Sequence, residues 1–163
     1  MSRYLIVANQ TLGGEKLDRT IRDRAGRGDS EFFVVVPMTA SEHESDWTGG
    51  FVSYEGMSGD EARAWIEQDA QRRQALVDAA RNLAEQRLGL MTEKIHAIGA
   101  RVEGNVGDAD PTVAVKDALR DQTFDEIIVS TLPTRVSRWL KMDLPSRVQR
   151  MTEAPVTTVE AED

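Results

Sequence analysis

Five short apolar runs, each separated from the next by enough chain for a helix, constrain this 163-residue sequence more than any other feature. They are residues 4–8 (YLIVA), 31–36 (EFFVVV), 101–106 (RVEGNV), 125–130 (DEIIVS) and 155–159 (PVTTV). Short β-branched runs bounded by turn residues read as strands buried on both faces of a parallel sheet. Parallel neighbours need a long crossover, which a helix supplies. The alternation therefore predicts an α/β fold: a three-layer sandwich with a five-stranded parallel sheet and helices on both faces. The length suits one domain, taken as residues 1–160, followed by an acidic tail at 161–163.

The intervening segments carry helical signals. Leu17 and Ile21, four apart, mark one face of a helix over 12–25, which Gly26 and Gly28 end. Ser58-Gly59-Asp60-Glu61 opens a long helical pattern with one apolar stripe from Trp65 and Ile66, through Leu76, Val77 and Leu83, to Met91, Ile95 and Ile98. Gly89 is a point where it can bend or split, and Gly99 ends it. The run 101–106 is the least apolar and is expected at an edge. Asp110 is placed as N-cap and Pro111 as first helical residue. The helix that follows, 111–120, is expected to bury Val113, Val115, Ala118 and Leu119. The last helix is expected over 143–152.

Composition narrows the function. The formal net charge of −8 opposes general binding to a phosphate backbone, so nucleic acid is not expected as a partner. With no cysteine, thiolate catalysis, disulfides and Cys-ligated metals are excluded. No window approaches the ~20 apolar residues of a membrane span. The N-terminal apolar run reads as a first strand and not a signal peptide. The expectation is a cytoplasmic protein with no membrane partner. His43 lies beside Glu42, Glu44 and Asp46, but adjacent loop residues fix no metal geometry, and a solvated acidic loop is the simpler reading. His96 reads as a helix-surface residue. Neither histidine suits a nucleophile–base pair, so neither catalytic residues nor a metal are expected.

Three segments together resemble the universal stress protein family: YLIVANQT at the first strand, VEGNVGDADP before the third helix, and FDEIIVSTLP…VSRWLKMDLPSRVQRMTEAPVTTV at the end. The resemblance covers nearly the whole chain and implies the strand order 3-2-1-4-5. It also implies a homodimer joined through the last strand, 155–160, and ATP or AMP as the candidate cofactor. Nucleotide-binding members follow strand four with Gly, two residues, Gly, nine residues, then Gly-Ser or Gly-Thr. Aligned on VSRWL, those glycines fall at Ser130, Pro133 and near Asp143, and the terminal hydroxyl falls near Leu144. All three glycines are absent here. The family's aspartate after the first strand is Asn9.

Hydroxyls and arginines crowd the same stretch: Ser130, Thr131, Thr134, Ser137 and Ser146 with Arg135, Arg138 and Arg147. Arginine binds phosphate or carboxylate in a two-pronged fashion, and a basic cluster in an acidic chain is a local reversal of sign. Carried over by resemblance, Asn9 and Val36 would face base and ribose. Ser130, Thr131, Ser137 and Arg138 would hold phosphate. The competing reading has Ser137 as an N-cap and the arginines in surface pairs, with Trp139 and Leu140 as core or dimer contacts. An irregular insertion at about 38–58 brings Trp47, Phe51 and Tyr54; packing or a partner contact is favoured over a lid. The functional expectation is a non-catalytic, universal-stress-like homodimeric module that binds an anionic small molecule at the loops after strands one and four. The alternative is an ATP- or AMP-binding stress protein, a nucleotide sensor or weak hydrolase with a non-standard phosphate loop. A ligand-free interaction module stands beside both.

Overall fold

The computed structural model describes residues 1–38, 56 and 58–161. The order is β1 (Ser2–Val7), α1 (Glu15–Ala25), β2 (Ser30–Pro37), α2 (Gly59–Ala97), β3 (Arg101–Gly107), α3 (Pro111–Asp121), β4 (Glu126–Thr131), α4 (Arg138–Lys141), α5 (Leu144–Gln149) and β5 (Val156–Glu160). The five strands form one sheet in the order β3-β2-β1-β4-β5, every neighbouring pair parallel. Fold class and strand order are those anticipated from the chain. The expected contents of the 38–58 insertion, including Trp47, Phe51, Tyr54 and His43, lie outside the described residues.

Alternation along each strand divides the core in two. Tyr4, Ile6, Phe32, Val34 and Ile128 point to one face and pack with Leu17 and Ile21 of α1 and Met91 and Ile95 of α2. Leu5, Val7, Val35, Ile127 and Val129 point to the other, where Val115 of α3, Trp139 of α4 and Leu144 and Val148 of α5 cover them. The two-residue side-chain period of a strand makes both layers out of one apolar run. Every residue of β4 is buried, which accounts for the apolar run at 127–129.

The long helix departs from the single apolar stripe read from sequence. Only Ala84, Met91 and Ile95 are buried along its 39 residues, while Ile66, Leu76, Val77 and Leu83 are exposed. At 1.5 Å per residue α2 is about 58 Å long. At ~3.3 Å per residue the eight residues of β2 extend only about 26 Å. The helix therefore overhangs the sheet, and its N-terminal half has no described strand beneath it. Gly89 does not split it, since the helix runs on from Gly59 to Ala97. Ser58 caps its start, accepting from Glu61 N–H while the Glu61 side chain accepts from Ser58 N–H.

Smaller differences have local causes. In α3 the buried set is Pro111, Ala114, Val115 and Ala118, and Val113 is exposed because the helix presents Ala114 to the sheet instead. The cap is as expected: Asp110 accepts from Thr112 N–H. The last helix, expected over 143–152, is the shorter α5, Leu144–Gln149; the separate four-residue α4 precedes it, and Asp143 between them takes the left-handed conformation with φ 56°. Asp143 stands close to the position that the family alignment gives to a glycine, and it is the one non-glycine with positive φ among the described residues. This is a conformation that glycine adopts freely and other residues enter at a cost of roughly 1 kcal/mol. Asp143→Gly is therefore expected to raise stability by about 0.5–1 kcal/mol; a lower urea midpoint would show that the carboxylate at the start of α5 outweighs the backbone strain.

Candidate functional site

The carboxyl ends of β1, β2 and β4 meet at one rim of the sheet, the place where an open parallel sheet takes a ligand. Asn9, two residues past β1, is buried at 2 % exposure and donates from Nδ2 to the Pro37 carbonyl at 2.8 Å. This ties the end of β1 to the end of β2. Its Oδ1 accepts from Arg87 Nη1, reaching across from α2. Burial lowers the pKa of the Arg87 guanidinium below its ordinary value, yet an arginine stays charged at any physiological pH. Among the described residues no carboxylate pairs with it; its contact is the neutral amide of Asn9. An unneutralised, half-buried cation is costly to keep, and such groups gather at binding sites.

Two cavities lie at the carboxyl ends of the strands. One, of about 370 Å3, lies between Met38, Arg81 and Glu85 of α2, and Val106, Gly107 and Asp108 at the end of β3. The other, of about 250 Å3, is bounded by Thr11, Gly14, Glu15, Lys16, Ser130, Val159 and Ala161. Each wall carries cations and carboxylates together, so neither is uniformly basic.

The residues singled out from sequence fall into three groups. Asn9 and Val36 reach neighbouring positions, since Asn9 is bonded to the residue after Val36; Val36 itself is fully buried in the core. Ser130 is stitched to the β1 loop. Its Oγ donates to Thr11 Oγ1 at 2.7 Å, and Thr11 Oγ1 donates to the Ser130 carbonyl at 3.3 Å. Thr131 is fully buried at the end of β4. Ser137 and Arg138 belong to a separate turn: Ser137 N–H donates to the Pro133 carbonyl, and Ser137 Oγ caps α4 by accepting from Leu140 N–H at 3.1 Å. Arg138 is half-buried as the first residue of α4. Trp139 is core, at 2 % exposure. His96 is exposed on α2, and no group of three His, Asp or Glu suited to a metal ion occurs among the described residues.

Two polar contacts at this rim escaped the sequence reading. Arg87 looked like one more surface charge on a long helix, although it flanks the face that buries Ala84 and Met91, and that spacing was the available signal. Glu160, at the end of β5, accepts on Oε1 from both Thr134 N–H and Thr134 Oγ, the latter at 2.6 Å. Nothing in the sequence joins those two residues.

With this geometry in view the comparison with known structures is direct. A universal stress protein from Archaeoglobus fulgidus superposes with a TM-score of 0.55 at 10 % identity, covering 98 % of this chain and 93 % of that one. The chain has the universal stress protein fold. A universal stress protein family member from Arabidopsis thaliana, solved with AMP bound, gives 0.55 at 14 % identity, with 99 % and 93 % covered. A universal stress protein in complex with cAMP gives 0.52 at 12 % identity, with 99 % and 98 % covered. No protein-family model matches the sequence, and no curated protein matches it either. No helix among the described residues is long and apolar enough to cross a membrane.

Proposed function

We propose that this chain is a non-catalytic, universal-stress-like homodimeric module that binds an anionic small molecule at the carboxyl ends of its strands. The observation that carries the reading is Arg87, a half-buried guanidinium held over the end of the central strand by Asn9, with no carboxylate to neutralise it among the described residues. A ligand phosphate or carboxylate would complete it. The cavity of about 370 Å3 at the ends of β2 and β3, walled by Arg81 and Glu85 of the same helix, has room for a small molecule. An adenine nucleotide is the second reading, favoured by the AMP and cAMP that two proteins of this fold hold. Against it stand Pro133, which has no N–H to offer a phosphate, and the carboxylate of Asp143. For the dimer, the support is that β5 ends the sheet order, leaving an edge that a second copy would cover.

The test is a thermal-shift series with inorganic phosphate, AMP, ATP and cyclic AMP on the wild type and on Arg87→Ala. Saturation at a hundred times Kd stabilises by ~2.7 kcal/mol, roughly 5–10 °C for a chain of this length. At least one anion is expected to raise the wild-type Tm by that amount, with the rise lost in Arg87→Ala. No shift with any of them, or an equal shift in the variant, overturns the assignment of the site. Sedimentation on the same samples checks the dimer; a monomer at micromolar concentration removes it.

A further inference from the structure

Most of the large apolar side chains left exposed among the described residues lie on α2: Ile66, Leu76, Val77, Leu83 and Leu90. Leu76, Leu83 and Leu90 recur at seven-residue steps and are 61, 40 and 63 % exposed. They stand one residue before Val77, Ala84 and Met91, the last two of which are buried against the sheet. One residue is about 100° round a helix, so α2 carries a second apolar line that its own sheet does not cover. Ala79 and Gln86 fill the steps between the leucines, and Trp65, Asp69 and Arg72 continue the alternation toward the N-terminus. Positions 65, 69, 72, 76, 79, 83, 86 and 90 thus advance by four and three in strict turn, the seam of a two-helix coiled coil. We propose that this seam is an interface with a second copy of the chain, whose α2 lies antiparallel to it from Trp65 to Leu90.

A second copy is the occupant because the seam matches itself. Reversed with Trp65 opposite Leu90, it sets Leu76 opposite Ala79, Arg72 opposite Leu83 and Asp69 opposite Gln86, each layer occurring twice about the dyad. Bulky meets small near the centre, and the arginine stem lies along a leucine. The carboxylate and the amide of the seam meet each other: Asp69 Oδ2 pairs with Arg73 Nη2 of its own helix at 2.8 Å, which leaves Oδ1 to the Gln86 amide of the other copy. A shift of one heptad either way puts Asp69 opposite Ala79 or Glu93 and breaks that layer, so the polar pair fixes the register. Charge sets the direction. Residues 59–71 carry Asp60, Glu61, Glu67 and Asp69 against Arg63 alone, and parallel copies would set acid against acid. Reversed, they face residues 84–96, where Arg87 and Lys94 offset Glu85 and Glu93. The overlap is about 39 Å long and takes in the overhang that no described strand underlies. It is distinct from the β5 edge and does not depend on the proposed ligand site.

The experiment is sedimentation of the wild type and of Leu83→Glu; if that variant does not fold, Leu76→Glu is read by the same criterion. The introduced charge is expected to weaken self-association at least about tenfold. A wild type that is monomeric at micromolar concentration, or an association that the charge leaves intact, overturns the inference. A wild-type dimer that Leu83→Glu turns into a monomer keeps the seam and removes the β5 pairing. A wild-type dimer that Leu83→Glu does not change removes the seam and keeps the β5 pairing, and a tetramer reduced to a dimer keeps both. Cross-linking reads the direction. The chain has no cysteine, so Asp69→Cys with Gln86→Cys supplies the only thiols, about 26 Å apart along one helix. A bismaleimide shorter than that should join two chains of the double variant and of neither single variant. Linkage in a single variant, or none in the double, overturns the antiparallel pairing.

Discussion

Replacing Glu126 by alanine is expected to cost about 3–5 kcal/mol, the loss typical when one partner of a buried ion pair is removed. Glu126 opens β4 and takes a two-pronged grip from Arg24 of α1, Nε to Oε1 at 2.6 Å and Nη2 to Oε2 at 2.9 Å. The Thr157 hydroxyl of β5 donates to the same carboxylate. The side chains are 14 % and 11 % exposed, so water screens the pair little. Three elements, α1, β4 and β5, thus close on one carboxylate, and its removal leaves the guanidinium with Asp23 alone. The pair also sets a pH dependence. The Arg24 hydrogen bonds hold the Glu126 pKa below its ordinary 4.5, against the opposing effect of burial. A depressed carboxylate stabilises fully above its unfolded pKa and loses that stability as pH falls through the folded value. Wild-type stability should therefore decline below about pH 4.5, and Glu126→Ala should lack that part of the decline. Urea denaturation of both proteins from pH 3 to pH 7 measures each; a loss under ~1 kcal/mol at neutral pH would place the pair among ordinary surface pairs.

What the sequence made legible depends on how far apart the interacting residues lie. Runs such as Ile127-Ile128-Val129 declare buried strands by themselves, and the spacing between runs declares parallel crossovers. Capping was equally local: Asp110 and Ser58 act within three residues of themselves. The overhang of α2 was not legible, because helical period tells which residues share a face and not where the sheet beneath them ends. The site was illegible for a similar reason. Arg87 meets Asn9 across 78 residues, Glu160 meets Thr134 across 26, and Ser130 meets Thr11 across 119. Asp143 is intermediate: aligning it near a family glycine signalled a lost motif, yet only the backbone angle shows that this residue takes a left-handed turn.

Trp139→Ala should rival Glu126→Ala, at about 3–5 kcal/mol, by leaving a cavity in the second core layer. The indole is 2 % exposed within a single chain, amid Phe124, Leu144 and Val148 and the apolar side chains of β4. A ring already enclosed by its own chain has no surface left to offer a partner, which settles the choice between core and dimer contact in favour of core. The loss should appear as a Tm lower by roughly 6–20 °C and as a lower urea midpoint with an unchanged slope. The size of the destabilisation should be the same at protein concentrations a hundredfold apart, because the lost contacts are within one protomer. A destabilisation that grew on dilution would instead place Trp139 at an interface. Trp139→Phe, which keeps most of the apolar volume, should recover more than half of the loss. Four residues of helix carry no stability of their own, so α4 and the Pro133–Ser137 turn before it depend on the indole for their place.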